Sequence, residues 1–364
     1  MATDSTRPLL PGVYVPLPTF FDENQEIDYD SYKKHLLAMA TRGMVPVCAG
    51  SLGEAVHLDF EERVAIIRFI RSTLDEAGLQ STPIVAGVGG LSTRETISLS
   101  KAAAEAGADA GMVILPAYYA ASLNADVEQV IQYYVEICQA SPIPLLLYNF
   151  PSNAGGQDMS SDVISAAVKR TTNLCGVKLT LDALLSGDST INETRGFPFL
   201  LLDGLIADLT PWMQCGGHGT VSGISNFTPL ASMRLWSLLN LQSPTVAERK
   251  EAKRIQAILG RADAAAVPGG IRAMKYALNK LHGYGVAPRR PLLPLKAGEG
   301  ESFMTALDEA MRLECELAVS HEKNGQLALC SLVSGGEIAI QEITFHLCSL
   351  LVFSFLVPTN IARA

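Results

Sequence analysis

The sequence lacks the residue clusters that mark disulfide frameworks and metal centres. Its seven cysteines include no C-x-x-C pair and are odd in number, so they are typical of reduced, buried thiols in an intracellular protein. Its six histidines show no H-x-H or H-x-x-x-H spacing, and we expect no metal site. Basic residues are outnumbered, with 28 Lys and Arg against 37 Asp and Glu and a net charge of −9. This acidic balance argues against nucleic acid or an anionic membrane surface as the main partner.

The two ends of the chain also lack familiar targeting signals. Residues 1–10, which we treat as an N-terminal tail, hold one base, Arg7, and no apolar stretch. We therefore expect no secretory or mitochondrial presequence, and a cytoplasmic protein. A largely apolar run at 343–357 covers fifteen positions, fewer than the ~20 that cross a membrane. It lies in an atypical tail, residues 319–364. This tail could be an extra packed helix or strand, a peripheral membrane anchor, or a gene-model artefact such as translated intron. We favour the artefact.

The remaining sequence alternates between strand-like and helix-like segments. The chain has 364 residues, 48% of them hydrophobic, which suffices for one large domain with an appendix. Short apolar runs bounded by glycine, proline or polar residues predict strands at 44–49, 83–88, 110–115, 145–150, 175–178, 199–203 and 220–224. Before them, the segment 13–21 starts as a strand and passes into a turn. Eight strands with intervening helices predict an α/β fold, a (β/α)8 TIM barrel, over residues 11–228. Helical segments over 229–318 predict a C-terminal helical appendix.

Two polar residues close neighbouring strands in the middle of the chain. Tyr148 lies near the end of the fifth predicted strand, and Lys178 ends the sixth. In a parallel α/β barrel, the side chains at the carboxyl ends of the strands line the active site. Each residue alone is more often structural, a solvated lysine or a core tyrosine. Their positions on adjacent strands make them candidates for shared chemistry.

Five short motifs occur in order along residues 11–295. They are GSLGE at 50–54, PAYY at 116–119, LYNFP at 147–151, GVK at 176–178 and GGHG at 216–219. Together, at the ends of predicted strands, they resemble the family of pyruvate-dependent class I lyases. That family includes dihydrodipicolinate synthase, N-acetylneuraminate lyase and 4-hydroxy-2-oxoglutarate aldolase.

The resemblance implies imine chemistry at Lys178. In the family, the lysine forms a Schiff base with the keto carbon of pyruvate or another 2-oxo acid, and no separate cofactor is implied. A lysine reacts in this way as a neutral amine, which burial among apolar strand ends favours. The protonated imine then accepts electrons as the C3–C4 bond breaks or forms. Tyr148 would relay the proton, helped by the hydroxyl of Ser51.

The resemblance also implies roles in substrate binding and assembly. Backbone N–H groups of the loop containing Gly50, Leu52 and Gly53 would hold the substrate carboxylate, because glycine permits close approach. Tyr119 resembles a tyrosine that reaches into the neighbouring subunit's site, which implies a homo-oligomer, either a dimer or a tetramer. Val221, on the eighth predicted strand, is a further candidate for substrate contact.

Two departures from the family pattern bear on the substrate. Leu52 follows Ser51 where the family often carries two adjacent hydroxyl residues, so one hydrogen bond to the substrate is missing. Asn153 stands where the lysine-biosynthesis enzyme carries an arginine for the carboxylate of aspartate semialdehyde, and a neutral amide cannot replace that charge pair. We therefore expect cleavage of a 4-hydroxy-2-oxo acid or a 2-keto-3-deoxy sugar acid to pyruvate and an aldehyde. Residues 11–16 and 53–58 resemble fungal members that cleave 3-deoxy-hexulosonates.

Several alternatives stay open on the sequence alone. The segment 179–197 should hold the sixth helix, but glycines and an aspartate break it. The glycine-rich segments 87–90 and 216–219 fit either phosphate cradles or, more often, tight turns. The chain could also condense pyruvate with an aldehyde, as dihydrodipicolinate synthase does. A barrel that keeps the fold but has lost turnover, and acts as a binding protein, is the alternative to an enzyme.

Overall fold

The fold is a closed barrel of eight parallel strands. A computed structural model describes residues 7–179 and 199–332, with side chains to residue 320. The strands pair in chain order and β1 closes on β8. Their bounds are β1 Gly12–Pro16, β2 Val45–Cys48, β3 Val85–Gly87, β4 Ala110–Ile114, β5 Leu145–Tyr148, β6 Leu174–Leu179, β7 Leu200–Asp203 and β8 Gly219–Val221. This arrangement confirms the predicted (β/α)8 TIM barrel.

Helices follow the strands and cover the outside of the barrel. Their bounds are α1 Tyr29–Ala40, α2 Phe60–Glu76, α3 Thr93–Glu105, α4 Ala120–Ala125, α5 Val127–Ala140, α6 Ser161–Arg170, α7 Leu209–Gln214, α8 Pro229–Leu239, α9 Val246–Ala266, α10 Gly270–His282 and α11 Ala297–Leu332. Asp59 begins α2 with a reciprocal capping box to Glu62, as its position before the apolar pattern predicts. The irregular segment at 180–198 lies outside the described residues.

The structure differs from the sequence-based boundaries in two places. Strand β1 is not one of them, because it ends at Pro16, within the segment 13–21 that starts as a strand and then turns. The short helix α4 was not predicted. The residue pattern also predicts one helix over 205–215, and this segment divides into a 3₁₀ turn, Ile206–Asp208, and the six-residue α7.

Two apolar layers stabilise the barrel. Successive strand residues point to opposite faces, so each strand contributes to both layers. On β5, Leu145 and Leu147 join the layer between strands and helices, whereas Leu146 and Tyr148 belong to the barrel interior. Tyr148 therefore lies inside the barrel at the carboxyl end of its strand.

The helices after β8 pack as an extension of the barrel. The backbone N–H groups of Leu230 and Ala231, at the start of α8, donate to the carboxylate of Glu314 in α11 at 2.7 and 2.9 Å. Glu314 thus caps a helix that lacks a capping side chain of its own. Within the described residues, no helix combines the length and apolarity that crossing a membrane requires. The apolar run at 343–357 lies outside the described residues.

Candidate active site

Strands β5 and β6 place Tyr148 beside Lys178. The two residues are register partners at the carboxyl ends of the strands. Both side chains are buried, with Tyr148 6% and Lys178 8% exposed. The Lys178 Nζ atom lies 4.1 Å from the centroid of the Tyr148 ring. An amine and a phenol thus share one apolar pocket at the end of the barrel where parallel α/β barrels carry their active sites.

Glycine at position 176 permits this arrangement. A Cβ atom on Gly176 would lie 2.5 Å from the carbonyl oxygen of Leu200, so a larger residue would force β6 and β7 apart. Lys178 is two residues further along β6 and pairs with Leu202. The GVK motif therefore combines a close strand approach with an inward-facing amine.

The hydroxyl of Tyr148 contacts a second hydroxyl. Ser51 Oγ lies 3.2 Å from Tyr148 Oη, within hydrogen-bonding distance. The ring of Tyr148 also stacks on Phe150, with centroids 5.7 Å apart and planes at 14°. Phe150 therefore contacts the face of the Tyr148 ring, and Ser51 contacts its hydroxyl. The Ser51 hydroxyl could pass a proton to or from the phenol.

The loop that carries Ser51 has an unusual backbone. Ala49 and Glu54, which flank residues 50–53, both have left-handed φ values, +48° and +53°. A Cβ on Gly53 would lie 2.9 Å from the Ala49 nitrogen, whereas one on Gly50 would meet nothing within 4 Å. Gly53 is therefore needed for the fold of the loop, and Gly50 leaves open space above the backbone.

The Leu52 side chain packs between the Ser51 loop and the end of β8. A Cβ placed on Gly223 would lie 3.0 Å from Leu52 Cδ1, so the leucine side chain lies beside the segment that follows β8. It is partly buried against the core. Val221 ends β8 as part of the barrel interior, 1% exposed. The structure thus gives this side of the loop an apolar surface.

In and beside the two glycine-rich segments, several backbone N–H groups already have acceptors. The Gly90 N–H donates to Thr96 Oγ1 at 3.0 Å and the Leu91 N–H to Glu95 at 2.7 Å. In the second segment, the N–H groups of Gly217 and His218 donate to backbone carbonyls at 3.0 and 2.8 Å. These bonds favour the turn interpretation over phosphate binding.

Two other predicted site residues lie on the surface. Asn153 is exposed and ends the 3₁₀ turn Pro151–Asn153. Tyr119 is 70% exposed and meets Tyr118 edge to face, with centroids 5.0 Å apart. Both tyrosines line a groove of about 780 Å³ that also includes Leu91. Within this single chain, neither Asn153 nor Tyr119 contacts the Lys178 pair.

Asn149 is a residue that the sequence analysis did not single out. Its side-chain amide donates to Asp158 at 2.6 Å and its Oδ1 accepts the Met159 N–H at 3.1 Å. Its backbone N–H donates to the Lys178 carbonyl at 2.9 Å. Asn149 therefore connects the loop after β5 to β6. In the sequence, its position beside Tyr148 in the LYNFP motif is the feature that could have predicted this role.

A buried ion pair behind the Ser51 loop was also missed. Glu54 Oε1 lies 2.5 Å from Nζ of Lys275 on α10, and both side chains are buried. Burial lowers the pKa of Lys275 to about 8, although the Glu54 carboxylate acts in the opposite direction. Among the described residues, no group of three His, Cys, Asp or Glu side chains is placed to hold a metal ion.

Comparison with known proteins gives one consistent family. The model of the dihydrodipicolinate synthetase family matches residues 9–310. A protein of Emericella nidulans named "Probable 4-hydroxy-2-oxoglutarate aldolase, mitochondrial" is 39% identical, over 86% of this chain and 99% of its own length. An L-threo-3-deoxy-hexylosonate aldolase of Aspergillus niger is 34% identical, over 85% of this chain and 98% of its own length. Among solved structures, the chain resembles the crystal structure of YagE from Escherichia coli K12, a prophage protein of the dihydrodipicolinic acid synthase family in complex with pyruvate. The two superpose with a TM-score of 0.72 at 26% sequence identity, over 83% of this chain and 99% of YagE.

Proposed function

Because this chain belongs to the dihydrodipicolinate synthetase family, we propose that it is a class I aldolase that cleaves a 4-hydroxy-2-oxo acid or a 2-keto-3-deoxy sugar acid to pyruvate and an aldehyde. The relatives of 34–39% identity over most of the chain carry aldolase names, in agreement with the predicted carbon–carbon lyase. The observation that carries the mechanism is the buried Lys178 amine 4.1 Å from the Tyr148 ring.

The first half of the reaction is imine formation at Lys178. The Lys178 amine adds to the C2 carbonyl of the 2-oxo acid, and uptake of one proton and loss of one water leave a protonated imine. The positive nitrogen is conjugated with C2 and accepts an electron pair from the neighbouring bond. Burial of Lys178 and Tyr148 suits this step because it excludes competing water.

The second half is cleavage of the C3–C4 bond. The Tyr148 hydroxyl accepts the proton of the C4 hydroxyl as it passes its own proton towards Ser51. The C4–O bond becomes a carbonyl, and the C3–C4 electrons move into an enamine. The aldehyde leaves, C3 is protonated, and one water hydrolyses the imine to release pyruvate and restore Lys178. Ser51, 3.2 Å from the Tyr148 hydroxyl, connects the phenol to the next proton donor or acceptor.

Substrate recognition follows from the loop and from Asn153. The open space above Gly50 allows a carboxylate to approach the backbone N–H groups of 50–53. Leu52 presents an apolar wall where family members often carry a hydroxyl. Asn153 is neutral and suits a hydroxyl group of the aldehyde portion better than a second carboxylate. Together these features support a hydroxylated substrate.

The test is turnover of defined substrates. We expect the purified full chain to release pyruvate from 4-hydroxy-2-oxoglutarate or from a 3-deoxy-hexulosonate, followed through coupled NADH oxidation by lactate dehydrogenase. The variant Lys178→Ala should release none. A matched control is Lys169→Ala, a lysine in the last turn of α6, which should keep wild-type activity. No release from any such substrate by folded wild type would favour the inactive-barrel alternative, and activity only with pyruvate and aspartate semialdehyde would favour condensation.

We further propose a homo-oligomer in which Tyr119 reaches a neighbouring subunit's site. Leu91, Tyr118 and Tyr119 are 77%, 83% and 70% exposed, which is unusual for apolar and aromatic side chains that line one groove. A second copy of the chain would cover them. Light scattering should give a mass of two or four chains, and Tyr119→Ala should weaken either assembly or turnover.

We propose a cytoplasmic enzyme. The Emericella relative is named mitochondrial, and fractionation of cells distinguishes the two locations. We also propose that the chain divides into an N-terminal tail at 1–10, a barrel at 11–228, a helical region at 229–318 and an atypical tail at 319–364. Recovery of the tail peptides in full yield from native protein would contradict its origin as translated intron.

A further inference from the structure

A buried charge pair joins the Ser51 loop to the C-terminal helical region. Lys275, on α10, is 0% exposed, and Glu54, at the end of the loop, is 2% exposed. Their charged atoms lie 2.5 Å apart. Lys275 Nζ also donates to the Ala287 carbonyl at 3.0 Å and lies 4.2 Å from the centroid of the Phe21 ring. A lysine with these contacts is fixed in place, because every direction around its ammonium is occupied by protein.

The second oxygen of Glu54 is held as firmly. Glu54 Oε2 lies 2.9 Å from His57 Nδ1 and accepts the Arg289 backbone N–H at 2.9 Å. The Arg289 guanidinium in turn binds the Glu62 carboxylate through two bonds of 2.6 Å and the His57 carbonyl at 3.0 Å. Glu54 thus receives contacts from α10, from the segment after α10 and from the turn that follows the loop.

These contacts fall where the backbone is strained. Glu54 has φ +53°, a left-handed value that non-glycine residues hold only when their surroundings enforce it. Ala49 has the same kind of conformation at the other end of the loop, and the Gly53 carbonyl between them accepts from Thr19 Oγ1 at 2.7 Å. The loop carrying Gly50 and Ser51 is therefore fixed at its Gly53–Glu54 end, and Glu54 is its charged attachment point.

We propose that Glu54 and Lys275 are positioning residues that hold loop 50–53 in the conformation that binds the carboxylate of the 2-oxo acid. This inference rests on the proposed function, since it assigns the pair to that same site. Neither residue touches the reacting atoms. Their effect is on substrate affinity, because the loop N–H groups contact the carboxylate equally before and during the chemical step.

A purely structural pair and a positioning pair differ in what they change. Loss of a structural pair lowers the Tm but leaves the folded molecules with normal affinity. Loss of a positioning pair weakens pyruvate binding in molecules that remain folded, while the rate of imine formation at saturating pyruvate stays near wild type. The measurement is the pyruvate concentration dependence of borohydride trapping on the full chain, quantified by intact mass, with Tm measured on the same samples.

Three variants make the test independent of folding. Glu54→Gln and Lys275→Met each leave one partner buried without its counter-charge and should lower the Tm. The double variant Glu54→Gln/Lys275→Met removes both charges and should recover much of that Tm. We expect all three to raise the half-saturating pyruvate concentration about tenfold, which corresponds to ~1.4 kcal/mol.

Two control variants separate affinity from stability. Glu251→Gln breaks the partly exposed Arg234–Glu251 pair, 2.7 Å, between α8 and α9, and should change neither quantity. Leu259→Ala opens a cavity in the buried face of α9 and should lower the Tm with unchanged half-saturation. Wild-type half-saturation in the folded double variant would overturn the inference alone. Absence of trapping in wild type would overturn the proposed function, and the inference with it.

Discussion

Removing the Tyr148 hydroxyl separates the two halves of the proposed reaction. In Tyr148→Phe, the ring keeps its contact with Lys178, 4.1 Å, and its stacking on Phe150, 5.7 Å. Only the hydroxyl that bonds Ser51 at 3.2 Å is lost. A single neutral hydrogen bond is worth about 1 kcal/mol, so the fold should tolerate the change.

The expected loss lies in cleavage. Proton transfer by a positioned side chain contributes roughly 10²–10⁴-fold, or about 3–5 kcal/mol, to a reaction that needs it. We therefore expect Tyr148→Phe to lower kcat for pyruvate release from a 4-hydroxy-2-oxo acid by that factor. Imine formation with pyruvate, measured by borohydride trapping, should persist. The two assays on one sample then report the two steps separately.

A second tyrosine provides the matched control. Tyr134, on α5, is fully buried and donates its hydroxyl to the Val113 carbonyl at 3.1 Å, in the layer between strands and helices. Tyr134→Phe removes a phenolic hydroxyl of the same kind outside the candidate site. It should change stability slightly and kcat hardly at all. If Tyr148→Phe cleaved substrate within a few-fold of wild type, Tyr148 would not be the proton relay.

Two further predictions concern stability. Burial lowers the pKa of His35 to about 4, against 6.5 for the free side chain, so its share of the stability is complete above pH 6.5 and is lost as the pH falls towards 4. Chemical denaturation gives the free energy of unfolding, and its excess in wild type over His35→Gln should shrink by up to about 3 kcal/mol as the pH falls from 6.5 to 4. A difference that stays constant with pH would contradict the low pKa of His35. Gly176→Ala should lower the Tm and cleavage activity together, because the added Cβ would lie 2.5 Å from the Leu200 oxygen. The control Gly298→Ala, whose Cβ would meet nothing within 4 Å, should keep the Tm. An unchanged Tm in Gly176→Ala would refute the close approach.

The sequence predicts that Tyr148 and Lys178 lie together because its signal is local. Tyr148 and Lys178 each end an apolar strand, and parallel pairing of consecutive strands brings such ends together without further information. Ser51 was predicted only through the motif around it, since its contact with Tyr148 spans 97 positions of the chain. The fold was likewise accessible because strands and helices alternate with clear breaks.

The rest depends on contacts that no local pattern encodes. Lys275 follows Met274 in an otherwise ordinary amphipathic helix, and only the packed structure shows that its partner is Glu54 in another part of the chain. Long-range packing therefore decides this contact.

The most direct test of the central claim is trapping of the imine at Lys178. Wild-type protein is incubated with pyruvate and borohydride, and the adduct is located by intact-mass and peptide mass spectrometry, with Lys178→Ala in parallel. We predict a reduced pyruvyl adduct on Lys178 that is absent from the variant. Folded wild-type protein without an adduct, or with the adduct on another lysine, would contradict the account.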